Sequence, residues 1–335
     1  MDSDQNNHLE STITLESSLI LHGIFALSAR FCTSSIFNGI APTQRGERFG
    51  QRAKAIFDDS IRNIKQPTLK YLQGCILLAF YLYSSEPDSQ GWLVIGTCSR
   101  LAHDLKLNVV DGTASANRQT HLPALEWSRR EELRRAWWCV WELDTFASAI
   151  SCRPSTIDRT KMQVFLPVSD TAWFNDTPVK SAIIDPNPLI AWRTLRHCPN
   201  QDERAWFLVI NFLVLLAQDL GQQKNPNSQL IQDMESAVAC YALLLPPRFH
   251  LDSGSIMFDA EHFRESNWII STNLMLQGYV KSLLSVICII TYLSWLVVRF
   301  LYDSLMRVPH LLSLLALRTT CLLLWQLTPN LAHTQ

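Results

Sequence analysis

Residues 126–167 read EWSRREELRRAWWCVWELDTFASAISCRPSTIDRTKMQVFLP, and the first half of this stretch decides the fold. From Glu131 to about Ser151 the spacing predicts one helix. Leu133, Trp137, Val140, Trp141, Asp144 and Ala147 recur at three- and four-residue steps, so they share one face. Arg129, Arg130, Arg134 and Arg135 crowd its first turns, where the helix dipole favours acids, and Glu131 and Glu132 offset part of that cost. These arginines read as a solvated helix end. Asp144 is the odd member of an otherwise apolar stripe. A carboxylate among tryptophans must be paired or hydrogen-bonded to stay ionised, and Arg153, just past the helix end beside Pro154, is the first candidate partner.

The surrounding composition fits a helical protein. Of 335 residues, 47% are hydrophobic, 11 are tryptophan and only 11 are glycine. Few segments alternate, so helices are favoured over a sandwich or barrel and the expected fold class is all-α. Lys and Arg total 29 against 30 Asp and Glu, a net charge of -1, which provides no general attraction to nucleic acid. The nine cysteines are scattered singly without a C-x-x-C pair, so they read as reduced core thiols rather than zinc or redox motifs. The opening MDSDQNN lacks the basic start of a signal peptide. An intracellular setting follows, in which the sequon Asn175-Asp176-Thr177 carries little meaning.

Residues 1–12 are polar and expected to be disordered. Residues 15–31 predict a helix with Ile20, Ile24, Leu27 and Phe31 on one stripe, and His22 at the edge of the core. A second, amphipathic helix covers 45–64. Its Asp58-Asp59 pair raises magnesium chemistry, but adjacent carboxylates point to different sides of a helix, so a solvated face is the preferred reading. Pro67 is placed to start a third helix carrying Leu69, Leu72, Ile76, Phe80 and Tyr83. Asp88 or Ser89 caps a fourth at 90–106, with Gly96 expected at a close helix approach. A loop covers 110–125. Beyond Pro154 the chain is expected to run extended to Pro167, then polar and proline-interrupted over 168–188. Helices at 201–220 and 231–245 follow, the first apolar nearly all round. Residues 282–298 are uncharged but sit at the short limit for a membrane span, and a buried helix is preferred.

Several pieces of the chain together resemble a known family. Arg134-Arg135-Ala136-Trp137-Trp138, Leu143-Asp144, Arg153-Pro154, Ile157-Asp158 and Leu166-Pro167 recur in the order of the fungal-specific transcription factor domain. That domain is the middle homology region of fungal binuclear zinc-cluster regulators. The likeness extends over about 15–275, including YLQGCILLAFYLYSSEPDSQGWLVIGTCSRLAHDLKL. It departs at Cys152, where glycine is usual, at Arg159 and Lys161, where acids are common, and at Lys106-Leu107-Asn108.

The resemblance implies a regulatory domain over 13–278, followed by an apolar helical segment at 279–335 whose pattern leaves a truncated or mispredicted end open. It implies transcription regulation in the nucleus, through a transcription factor partner or a homodimer, with DNA reached indirectly. Signature residues of structural importance would be Arg134, Arg135, Trp137, Trp138, Asp144, Arg153, Pro154, Asp158 and Pro167. Family members hold zinc through an N-terminal cysteine cluster that these residues do not include, so no cofactor is expected. No Ser-His-Asp constellation, P-loop or H-E-x-x-H motif supports a helical enzyme. A membrane-anchored helical protein would rest on 282–298 alone.

Overall fold

The computed structural model describes residues 14–85, 88–112, 122–151, 153–221, 223, 227–251, 256–257, 259 and 262–282. Among them are ten α-helices and no strand. The chain divides into two units, Met1–Leu101 and Ala102–Gln335.

In the first unit, α1 (Leu15–Ser28) begins at Thr14, whose hydroxyl accepts from the Ser17 amide at 3.2 Å. It packs against α2 (Glu47–Ile61) and α3 (Leu69–Ser85). The approach of α1 to α3 depends on two glycines facing opposite ways. A Cβ on Gly23 would meet Leu77 Cβ at 2.8 Å, and one on Gly74 would meet Leu19 Cγ at 2.7 Å. Gly96 of α4 (Ser89–Asp104) is not at such a contact, since a Cβ there would meet nothing nearer than Arg100 Nη1 at 3.5 Å. Sequence spacing alone does not tell which glycine faces a neighbour.

Start signals fall close to expectation. Thr68 accepts from the Tyr71 amide at 3.1 Å and begins α3, with Pro67 just ahead of it. Asp88 accepts from the Gly91 amide at 2.8 Å and begins α4. On α2, Asp58 pairs with Lys54 at 2.6 Å, one turn back. His22 is half-buried and bonds the Ser18 carbonyl. Cys75 and Cys98 are fully buried, and burial pushes the Cys75 thiol up to about 12 and the Cys98 thiol well above its usual range. Both are unreactive core thiols on that account.

The second unit is built on α5, the 28-residue helix Ala124–Ser151. It begins at Ala124 rather than 131, so Arg134 and Arg135 lie in its third turn, beyond the reach of the dipole at its start. Trp127, Trp137, Trp138 and Trp141 are all buried, while Leu133 is only half-buried. From Arg153 the chain runs without α-helix or strand to Ser169, bending at Thr156–Ile157 and making a short 3₁₀ turn at Arg159–Lys161. The polar stretch that follows is not structureless: α6 (Asp170–Phe174) forms there, with Ser169 accepting from the Ala172 amide. After α7 (Pro188–Ala191) comes α8 (Glu203–Gly221), buried without interruption from Asp202 to Leu213.

Helix α9 (Ser228–Leu244) packs on α8 with the Tyr241 ring edge-on to Trp206 at 5.7 Å. Helix α10 (Phe263–Ser282), not foreseen as a separate helix, covers another side of α8 through Trp268 and Phe207, 5.0 Å apart. Phe207 also stacks on Phe146 of α5 at 6.4 Å. No described helix is long and apolar enough to cross a membrane. Apart from Ser282 at the end of α10, the 282–298 run lies outside the described residues.

Candidate functional site

The α5 arginines form the middle of a buried chain of ion pairs. Arg134 lays its guanidinium bidentate on Asp111, with Nε to Oδ2 and Nη2 to Oδ1 both at 2.7 Å. Its Nη1 donates to Glu131 Oε2 at 3.3 Å. Glu131, one turn back on α5, also accepts from Arg135 Nε at 3.2 Å and from the Val168 amide at 2.9 Å. Arg135 continues to Asp170 Oδ1 at 2.6 Å and to the Val168 carbonyl at 2.6 Å. Arg264 of α10 then bridges Asp170 at 2.7 Å and Asp202 at 3.2 Å.

Four carboxylates thus alternate with three guanidiniums across five chain segments, and Glu131, Arg134 and Arg135 are each at most 2% exposed. The expectation of a solvated helix end therefore fails for Arg134 and Arg135, although Arg129 is exposed. The local cause is Glu131, whose position three and four residues before the two arginines lets it meet both. Burial makes every member depend on its partners, because an unpaired charge there would be strongly disfavoured.

The titration of the network follows from this environment. Burial pushes the Glu131 carboxyl up, and the opposing pull of Arg135, Arg134 and the Val168 amide does not cancel it. Asp170 is also raised by burial, but Arg135 and Arg264 outweigh that and hold it below the ordinary carboxylate range. A second buried pair lies further along α5, where Arg204 of α8 donates to Glu142 at 2.5 Å and to the Cys139 sulfur at 3.4 Å. Burial disfavours the Arg204 charge, and Glu142 with Cys139 more than restores it.

Asp144 has a different set of partners from the one expected. Its carboxylate accepts from the Ser155 hydroxyl at 2.6 Å, the Thr156 hydroxyl at 2.5 Å, and the Thr156 and Ile157 amides at 3.0 and 3.2 Å. Asp144 is thus satisfied by neutral donors of the turn that follows α5, and Arg153 is exposed, its own amide donating to the Ser148 carbonyl. The short sequence distance pointed to this loop, and the donors shown in it are Ser155, Thr156 and Ile157.

The remaining signature residues hold the extended segment. Trp138 Nε1 donates to the Phe165 carbonyl at 2.8 Å, and the Phe165 amide donates to Asp111 Oδ2 at 3.0 Å. The buried Pro167 offers its carbonyl to Asn200 Nδ2 at 2.9 Å. Trp137 is fully buried with the His103 ring edge-on at 5.5 Å. Pro154 and Asp158 are exposed. Asp158 caps the 3₁₀ turn, and the Thr160 hydroxyl with Lys161 lowers its carboxyl to about 2.

Asp111, Asp170, Asp202 and Arg264 escaped the sequence reading. They lie far from α5 along the chain, and no periodicity links them to it. Among the described residues, no group of three His, Cys, Asp or Glu side chains is placed to hold a metal ion.

Comparison with known proteins places this arrangement. The model of the fungal specific transcription factor domain matches residues 4–200, more than half of the chain. The chain belongs to that family. The match takes in α5, Asp111, Asp170 and the extended segment between them, so most of the ionic chain lies inside the family domain.

Among curated relatives, the tropolone cluster transcription factor tropK of Talaromyces stipitatus is 31% identical over 130 residues, 38% of this chain and 22% of the relative. The pigment biosynthesis transcriptional activator pigB of Monascus ruber is 27% identical over 117 residues, 35% of this chain and 21% of the relative. The Zn(2)-C6 fungal-type transcription factor FTF1c of Fusarium oxysporum is 27% identical over 163 residues, 48% of this chain and 17% of the relative. The similar stretch thus spans about a fifth of the length of these relatives. No solved structure matches.

Proposed function

We propose that this fungal transcription factor domain is a regulatory and interaction domain that acts in transcription without reading DNA itself and without catalysing a reaction. The observation that carries the reading is the use made of the Arg134-Arg135 signature. Both guanidiniums are committed to internal carboxylates, so they are not available to phosphates or to a substrate. On this reading, Trp137, Trp138, Asp144 and Pro167 serve the same scaffold, while Arg153, Pro154 and Asp158 shape the turn at its surface. The regulatory domain occupies 13–278, and the chain acts in the nucleus beside a transcription factor partner or a second copy. With 29 basic and 30 acidic residues there is no excess charge to displace counterions from DNA.

Two measurements test this. Fused to an unrelated DNA-binding module, the chain is expected to raise or lower transcription from a reporter carrying that module's site, and an unchanged reporter would contradict a regulatory role. In a gel-shift titration of the unfused chain against random duplexes at physiological salt, no sequence is expected to be enriched. Enrichment at nanomolar concentration would overturn the indirect reading of DNA.

A further inference from the structure

The segment after α6 carries a motif that the family reading leaves unused. Thr177-Pro178-Val179-Lys180 places a proline directly after a hydroxyl residue and a base at the third position after it. A proline-directed protein kinase selects such an acceptor. Its cleft tolerates a residue with no amide hydrogen next to the acceptor, and the following base pairs with an anionic group. Thr177 and Lys180 are exposed, and residues 177–185 form neither helix nor strand. We propose that Thr177 is a phosphorylation site for a proline-directed kinase, and that its modification loosens the start of α5.

Chemically, Thr177 Oγ1 attacks the γ-phosphorus of ATP. The new O–P bond forms as the bond to the β-phosphate oxygen breaks, ADP leaves with that electron pair, and the hydroxyl proton passes to the kinase's catalytic carboxylate. The product is a phosphate ester with close to two negative charges.

The neighbourhood converts that charge into a structural effect. Asp176, immediately before the acceptor, is held in the left-handed region at φ 48°. Its carboxylate accepts from the hydroxyl of Ser128 on α5. Trp173 Nε1 donates to the Ser128 carbonyl at 3.1 Å, so one residue of α5 receives two ties from the α6 region. Val179 packs at the edge of the buried Trp127, Val168 and Trp173 cluster. At its far end the segment is held where the Leu166 amide donates to the Ala182 carbonyl at 2.8 Å. Entry to a kinase cleft therefore needs the stretch between these two anchors to lift, with release of the Thr177 amide from the Ala172 carbonyl (2.9 Å) and of the Thr177 hydroxyl from the Asn175 carbonyl (3.2 Å), a local opening rather than unfolding. A phosphate beside the Asp176 carboxylate repels it, favours the lifted state and weakens the tie to Ser128. Lys180 and Arg129 are the exposed bases near enough in sequence to these groups to oppose this.

The test uses the full 335-residue chain with magnesium, ATP and a purified cyclin-dependent kinase, mapped by mass spectrometry. Phosphate is expected on Thr177 and on the same position in Thr177→Ser. It should be strongly reduced in Pro178→Ala. Absence of phosphate from Thr177 in the intact chain, while a free peptide of 171–183 is modified, would overturn the site. Hydrogen exchange of the 124–130 backbone is expected to quicken on phosphorylation, and to quicken less in Asp176→Asn. Unchanged exchange at full phosphorylation would overturn the coupling to α5.

Discussion

Arg135 and Asp170 meet at 2.6 Å with the guanidinium 1% exposed, and Arg264 of α10 closes on the other oxygen of the same carboxylate. One aspartate thus joins the central helix to the last described helix. Its side chain is shared by two cations that lie 129 positions apart, from 135 to 264. The Arg135 guanidinium also lies 4.4 Å from the centre of the Trp173 ring, which adds a cation–π contact to its ion pairs.

Breaking this junction from either side should be costly. Arg135→Ala and Asp170→Ala are each expected to lower stability by about 3–5 kcal/mol, since each leaves a buried partner uncompensated. Urea unfolding of the two single variants and the double variant would measure it. The double variant should fall well short of the sum, because the two residues share one interaction.

Trp137→Ala empties a fully buried site and is expected to cost about 3–5 kcal/mol. Trp138→Phe removes little volume but leaves the Phe165 carbonyl without its 2.8 Å donor, for an expected loss of about 1 kcal/mol. Thermal unfolding should rank the two in that order, and equal effects would show that volume does not govern this part of the core.

Asp144 accepts from both the amide and the hydroxyl of Thr156. A double-mutant cycle on positions 144 and 156 should yield an interaction energy of about 0.5–3 kcal/mol. The same cycle on 144 and 153 should give a smaller value, because the carboxylate is already met by four donors of residues 155–157.

Acid acts on two network carboxylates in opposite senses. Asp170 lies below its ordinary range when folded, so its contribution is present above the unfolded value of about 3.9 and is lost as pH falls through the lower folded value. Glu131 lies above its range, so the folded state holds the proton more tightly. Its favourable contribution is complete below about 4.3 and is lost as pH rises through the higher folded value. Relative to Asp170→Asn, the parent should therefore lose stability as pH is lowered. Relative to Glu131→Gln, it should lose stability as pH is raised. Both differences can be read from unfolding curves between pH 3 and neutrality.

These residues also mark where the sequence could be read. The helical period from Glu131 onward exposed α5 and its tryptophans, because one helix carries that information within a few turns. The same local rule could have paired Glu131 with Arg134 and Arg135, but their number near a helix start favoured solvent. Asp111, Asp170, Asp202 and Arg264 could not be found that way. Their meeting depends on how separate segments close around α5, and single-chain periodicity is blind to that. Asp144 is an intermediate case, since its buried carboxylate announced a need for donors without telling charged ones from neutral ones. The hydroxyls of Ser155 and Thr156 and the amides of Thr156 and Ile157 met that need.

The opposed glycines Gly23 and Gly74 have a consequence for motion within the first unit. Each helix offers a notch to a leucine of the other, Leu77 at one level and Leu19 at the next. A slide of α1 along α3 by one turn, roughly 5.4 Å, would draw both leucines out of their notches together and drive them against neighbouring side chains. Two interlocked positions with opposite polarity block translation in both directions, as a single notch could not. The α1–α3 pair should accordingly move as one piece.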